Sequence, residues 1–366
     1  MIDYFKKQFP AYYFLIAILL LSLLFFYELN HKEKVLRDAL LNGTLQSSSA
    51  SNSNIINNGN KNKDSNGSSQ VETNTNQNVK QNEKHIVRSS VGGLIRPILM
   101  VEEAKPSQNL AGLNVSLNEI VNAGKQSGRI QSASVYVKDM ENDDWIEVND
   151  TEGYYPGSLM KLAVLITYLK KSEDDKRILD KTLTLEKSAI APGQTYKDEV
   201  IKPAIPYKIS DLLYQMIVRS DNFATLLLNR ELDINDLNKL IHVLGLPKMD
   251  MHNANYTITA KDYSKFMRIL YNATYLNEEN SQQALSMMSH SGFKKGLMRE
   301  LPENVIVAHK FGETVSGNIR ELHESGIVYT GTHTYLITVM TKGLRVSDLA
   351  DEISEISSKV YHYFMP

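Results

Sequence analysis

Residues 43–84 are almost wholly Ser, Asn, Gln, Gly, Lys and Asp, with scarcely an apolar side chain among them. A stretch of that composition cannot bury enough surface to offset the entropy of ordering it, so it reads as a flexible tether. Whatever folds must therefore lie on either side of it. Before it stands an apolar run; after it, from about Ile86, come some 280 residues of ordinary globular pattern. The expected layout is a short N-terminal segment over residues 1–8, a membrane anchor over 9–28, a disordered linker over 29–85 and a folded domain over 86–366.

The apolar run is uncharged from residue 9 to residue 27. As a helix it would reach about 28 Å, close to the hydrocarbon thickness of a bilayer. The residues that follow, Phe25-Phe26-Tyr27-Glu28-Leu29-Asn30, offer no small-residue cleavage site. The run is expected to be an uncleaved anchor rather than a signal peptide. Lys6 and Lys7 precede it and Lys32, Lys34 and Arg37 follow it, so charge counting leaves its orientation open.

There is no cysteine, which removes disulfides, thiolate metal sites, a cysteine nucleophile and a lipid-bearing cysteine. Net charge is -2, so no basic footprint for nucleic acid exists. The nine histidines include no H-E-x-x-H and no close pair, and no Walker or dinucleotide-binding glycine pattern appears. Neither a metal nor a cofactor is expected.

Within the folded domain, residues 115–124 pattern as a short amphipathic helix with Gly124 as its stop. Residues 132–148 read as two strands around the turn Glu141-Asn142-Asp143-Asp144. Residues 159–171 form a helix apolar on most sides and so buried. The middle, to about residue 304, is mostly helical, including 209–219, 222–232 and 260–273. Strands follow at 305–309, 324–329 and 335–341, and an amphipathic helix closes the chain over 349–364. Strands from both ends with helices between imply one antiparallel sheet built from both termini, with a helical subdomain of about residues 165–304 inserted.

Three short motifs carry the chemistry. Ser158-Leu159-Met160-Lys161 follows Tyr155-Pro156-Gly157 at the start of the buried helix. Serine and lysine three apart share a helical face. A hydroxyl needs an adjacent base to become a nucleophile, and a buried lysine with a lowered pKa can be one. The helix N-terminus adds N–H groups near a developing anion. Ser220-Asp221-Asn222 lies between two helices: its serine can relay a proton to a leaving nitrogen, and its asparagine amide can hold Lys161 or a substrate amide. Lys310-Phe311-Gly312 comes at the end of a strand, where the lysine can bind a substrate carboxylate and the glycine leaves the strand edge open. Each motif is weak alone, and Ser291-Gly292-Phe293-Lys294 also fits S-x-x-K. Ser291, however, lacks the Pro-Gly entry and no S-D-N follows it.

The order S-x-x-K, S-D-N, K-x-G over about residues 110–366 resembles the class A β-lactamase and penicillin-binding serine hydrolase superfamily. The resemblance implies an α+β fold, a five-stranded antiparallel sheet flanked by helices beside an inserted all-helical domain, with the site in the cleft between. It implies Ser158 as nucleophile, Lys161 as its base and Ser220 as proton relay. Asn222, Lys310 and Gly312 would line the cleft, and the oxyanion hole would join the amide of Ser158 to one near Glu313 or Thr314. The substrate it implies is a β-lactam or the peptide stem of peptidoglycan, both outside the cytoplasmic membrane of a bacterium.

Two departures matter. Class A enzymes carry a deacylating glutamate on a loop after S-D-N, yet no glutamate stands between Glu231 and Glu278, and the interval from Leu244-Gly245-Leu246 to Tyr256-Thr257-Ile258-Thr259 looks short. Asp250 in that interval reads as structural, since general-base work demands close reach. Slow deacylation is the expectation. Phe311 stands where the family has Thr or Ser, which removes a hydrogen bond to a substrate carboxylate. His323 reads as a structural or surface histidine, and His309 should face away from Lys310 by strand alternation. The rival reading is a catalytically silent envelope module that uses the same cleft for binding.

Overall fold

The structure is a computed structural model, and it describes residues 84–88, 98–103, 105–187, 200–248 and 256–365. The expected anchor over 9–28, most of the tether, and Asp250 lie outside the described residues. Among the described residues no helix is long and apolar enough to cross a membrane.

Strand β1 (Lys84–Arg88) pairs antiparallel with β2 (Ile98–Glu103), so regular structure begins two residues inside the stretch assigned to the linker. Helix α1 (Ala111–Gln126) leads to β3 (Ser132–Asp139) and β4 (Trp145–Val148). A one-turn 3-10 segment, Gly157–Met160, enters α2 (Lys161–Asp174). The ribbon β5 (Thr182–Thr184) with β6 (Pro206–Lys208) precedes helices α3 (Ile209–Val218), α4 (Asn222–Glu231), α5 (Ile234–Val243), α6 (Ala260–Tyr271) and α7 (Glu278–Ser289). Strands β7 (Ile306–Ser316), β8 (Ile319–Tyr329) and β9 (Thr334–Gly343) and helix α8 (Val346–Phe364) complete the chain.

The five-stranded sheet runs β4-β3-β9-β8-β7 and is antiparallel throughout, with two strands from before the helices and three from after them. Alternation along each strand splits its side chains between two cores. Val135 and Val137 of β3, with Ile337 and Val339 of β9, pack beneath Leu113 and Leu117 of α1 and Ile353 and Ile356 of α8. Tyr136, Leu336 and Met340 point the other way, into the core shared with Leu162 and Leu165 of α2, Met216 of α3 and Phe266 of α6.

Gly124 does not stop α1, which continues to Gln126. Its lack of a side chain serves packing: an added Cβ would stand 2.5 Å from a carboxylate oxygen of the buried Glu352 on α8. The strand expected to end at residue 309 runs on to Ser316, so Lys310-Phe311-Gly312 lies inside β7 rather than at its end. The sequence hides this because Lys310 is buried, Phe311 half-buried and Glu313 exposed, with no apolar alternation to follow.

Candidate active site

The serine turn is fixed from three sides. Tyr263 of α6 donates its hydroxyl to the Leu159 carbonyl at 2.9 Å. The amide of Tyr155 donates to Glu321 Oε2 at 2.9 Å, and the Tyr155 carbonyl accepts from His323 Nε2 at 3.0 Å. Within the turn, Leu159 N–H bonds the Pro156 carbonyl at 3.0 Å. His323 is fully buried, and its Nδ1 accepts the Thr341 amide at 3.2 Å, which leaves the proton on Nε2 for Tyr155. It is structural, and its partner is the chain that enters the Ser158 turn. Sequence pattern could not have found this, because the bond crosses 168 positions.

Strand β7 lies directly against that turn. A Cβ on Gly312 would stand 2.5 Å from the Pro156 carbonyl and 2.8 Å from the Leu159 nitrogen, so only glycine permits the approach. Gly157, at φ +52, faces the Glu313 carbonyl in the same way. In an antiparallel ladder the N–H and C=O of one residue point to the same side. The Glu313 amide therefore looks towards the turn that carries Ser158, on the unpaired edge of the sheet. Gly157, Ser158, Met160, Lys161, Val164 and Glu313 line a cleft of about 320 Å³, closed on its far side by α4 and α5. Thr314 is half-buried, with its methyl group against Gly157.

Lys161 is buried one turn beyond Ser158, and three acceptors surround its amine: the Ser220 carbonyl at 2.6 Å, Asn222 Oδ1 at 2.9 Å and Ser220 Oγ at 3.2 Å. Ser220 adopts the left-handed conformation, φ +57, which a non-glycine residue holds at a cost of about 1–3 kcal/mol. The surrounding ties sustain it. Asp221, almost fully buried, caps α4 through the Ala224 amide at 2.8 Å and binds the amides of Val200 and Ile201 at 2.5 and 3.1 Å. Thus the aspartate of S-D-N, to which the sequence assigned no role, locks the segment that carries Ser220 and Asn222.

Lys310 arrives from β7, fully buried, and donates to Ser220 Oγ at 3.0 Å and to the Phe311 carbonyl at 2.8 Å. Burial pushes its ammonium well below the ordinary lysine range; Lys161 adds to this and Glu324 opposes it. Two buried amines therefore share one hydroxyl, an arrangement that disfavours a positive charge on both. His309 points to the other side of β7, 2.5 Å from Glu324, as alternation requires.

The Phe311 ring packs with the core on the α1 and α8 side of the sheet. It stacks on Phe293, ring centroids 4.4 Å apart, and its centroid lies 4.3 Å from the Lys310 amine. Ser291, by contrast, is buried beyond the end of α7 and belongs to no such cluster; Lys294 contacts Met298. Among the described residues no group of His, Asp and Glu side chains forms a metal site.

No curated protein matches the chain. The fold is similar to that of TLA-1 extended-spectrum β-lactamase (TM-score 0.61, 22% identity, 69% of this chain and 99% of that one). It is similar also to PBP-A (TM-score 0.60, 21% identity, 71% and 97%), a variant of which is known as an acyl-enzyme complex with penicillin G. A β-lactamase from Chitinophaga pinensis DSM 2588 compares at TM-score 0.61 and 18% identity over 68% and 99%. The beta-lactamase enzyme family matches residues 113–364, a span that takes in every motif residue and the whole five-stranded sheet, and this chain belongs to that family.

Proposed function

We propose that this chain is a serine acyl-transfer enzyme anchored in a bacterial cytoplasmic membrane by residues 9–28, with its folded domain outside the membrane. One observation carries the chemistry: the Lys161 amine, stripped of water, is held by the Ser220 carbonyl and Asn222 Oδ1 one turn from Ser158. A neutral amine spends two N–H bonds on those oxygens and keeps a lone pair for the Ser158 proton.

In this reading Ser158 Oγ attacks the substrate carbonyl and its proton passes to Lys161. The amides of Ser158 and Glu313 hold the oxyanion. The carbon–nitrogen bond breaks, and the leaving nitrogen takes the Ser220 hydroxyl proton, which the amine beside it replaces. Water then releases the acyl group. With no glutamate between Glu231 and Glu278, that last step is slow. A β-lactam or a peptidoglycan stem peptide is the substrate class, and the acyl-enzyme of the PBP-A variant with penicillin G supports the first. A silent binding module is the second reading, favoured by the aromatic cover on Lys310.

Intact-mass spectrometry of the folded domain with penicillin, sampled from seconds to hours beside Ser158→Ala, tests the reading. A persistent drug-sized adduct on the wild type alone is expected. The absence of any adduct and of any drug consumption would move the weight to the silent module.

A further inference from the structure

The cleft does not end at the nucleophile. Ser158, Lys161 and Val164, at steps of three, line it on the α2 side, and Thr225 and Asn229, four apart, line it on the α4 side, with Leu237 of α5 beyond them. Asn229 stands seven residues past Asn222, two helical turns along the same face of α4. That places it about 10 Å farther from Ser220 than Asn222 is.

The walls of this extension are mostly apolar or already bonded. Val164 and Leu237 are buried, and the Thr225 hydroxyl donates to the Asp221 carbonyl at 2.8 Å. Asn229 Oδ1 is the exception: it is shut off from solvent and accepts no hydrogen bond. Buried polar atoms in folded proteins are nearly always paired, so an orphaned oxygen on the wall of this cleft calls for a donor that arrives with the ligand. Among the described residues that line the cleft, the one carboxylate is Glu313, on the strand that meets the serine turn, and the Lys161 amine shares the space. An ammonium would therefore lose its hydration at the Asn229 end without a counter-charge, whereas an uncharged N–H needs only the one oxygen.

The direction of the substrate follows from the roles already assigned. The attacked carbonyl oxygen lies between the amides of Ser158 and Glu313, and the leaving nitrogen lies against Ser220. The third substituent of that carbon, the acyl arm, is left the side of the cleft that leads away from Ser220, past Val164 towards Asn229.

Resting on the acyl-enzyme reading, we propose that Asn229 is a specificity-determining residue: it selects donors whose acyl side carries an apolar arm ending in an amide N–H, which Asn229 Oδ1 accepts. The arm buries its methylenes against Val164 and Leu237, and its N–H gives the orphaned oxygen a partner.

Two penicillins made by acylating the aminopenicillanic acid nucleus with ε-acetamidocaproic or ε-acetoxycaproic acid differ only in an N–H against an oxygen at that reach. Second-order rates of Ser158 adduct formation are measured by intact mass for both and for benzylpenicillin, on wild type and Asn229→Leu. Ser158→Ala is the blank, and thermal unfolding checks the folding of the variant. On the wild type the amide arm should react roughly tenfold faster than the ester arm, whose oxygen would face Asn229 Oδ1 as a second acceptor. Asn229→Leu keeps the volume and removes the acceptor, and should bring the two rates within about twofold of each other. A wild-type preference below threefold overturns this inference and leaves the acyl-enzyme reading standing, as does a preference that survives in Asn229→Leu or an adduct from benzylpenicillin alone. No Ser158 adduct from any of the three probes overturns both.

Discussion

His323 Nε2 donates to the Tyr155 carbonyl at 3.0 Å, joining the third-last residue before the nucleophile to the middle of the sheet. Replacing it with alanine leaves that carbonyl and the Thr341 amide without their partner in a buried place. The cost should be about 1–3 kcal/mol per orphaned group. Denaturant unfolding of His323→Ala should show that loss, and Ser158 acylation should slow in step. Full stability with full acylation would remove His323 from the support of the turn.

The motif residues were legible because each sits in local pattern: Ser158 and Lys161 three apart behind Pro156-Gly157 at a helix start, Ser220 and Asn222 between two helices. That one antiparallel sheet draws strands from both ends of the domain was legible too, though its strand order was not. What escaped notice depends on partners far along the chain. Glu321 and His323 fall before the strand read from residue 324, yet with Glu324 they are buried in β8, with bonds or close contacts to Tyr155, Leu297 and His309. Gly124 looked like a helix stop because a glycine's use as clearance for Glu352 is invisible until the two helices meet.

Lys161→Arg separates charge from basicity. A guanidinium preserves the positive charge but cannot be deprotonated, so it cannot accept the Ser158 proton. Adduct formation should fall by roughly 10²–10⁴, the range typical of a lost general base. A variant within tenfold of wild type would show that Lys161 acts as a charge and that another group takes the proton.

Gly312→Ala probes the clearance between β7 and the serine turn. Its Cβ would stand 2.5 Å from the Pro156 carbonyl, and either the strand or the turn must shift. Overpacking of this kind costs about 1–3 kcal/mol. A displacement near 1 Å between Ser158 and Glu313 can cost on the order of 100-fold in rate. Thermal unfolding and the acylation rate should fall together; an unchanged rate would mean that the oxyanion is held elsewhere.

Glu352 predicts a pH dependence of stability with a definite sign. Its side chain is fully buried between α8 and Gly124 of α1, 2.7 Å from Arg129 Nη2. Burial raises its pKa from an ordinary value of 4.5 to about 7; Arg129 opposes the rise and Glu355 adds to it. The folded protein thus holds this proton more tightly than the unfolded chain does. The contribution is whole below about pH 4.5 and is lost as the pH rises through 7, a change of roughly 3 kcal/mol. Glu352→Gln keeps the shape and cannot ionise. Denaturant unfolding from pH 5 to pH 8 should therefore show the variant gaining on the wild type as pH rises. Parallel curves for the two proteins would mean that Arg129 holds Glu352 ionised across the whole range.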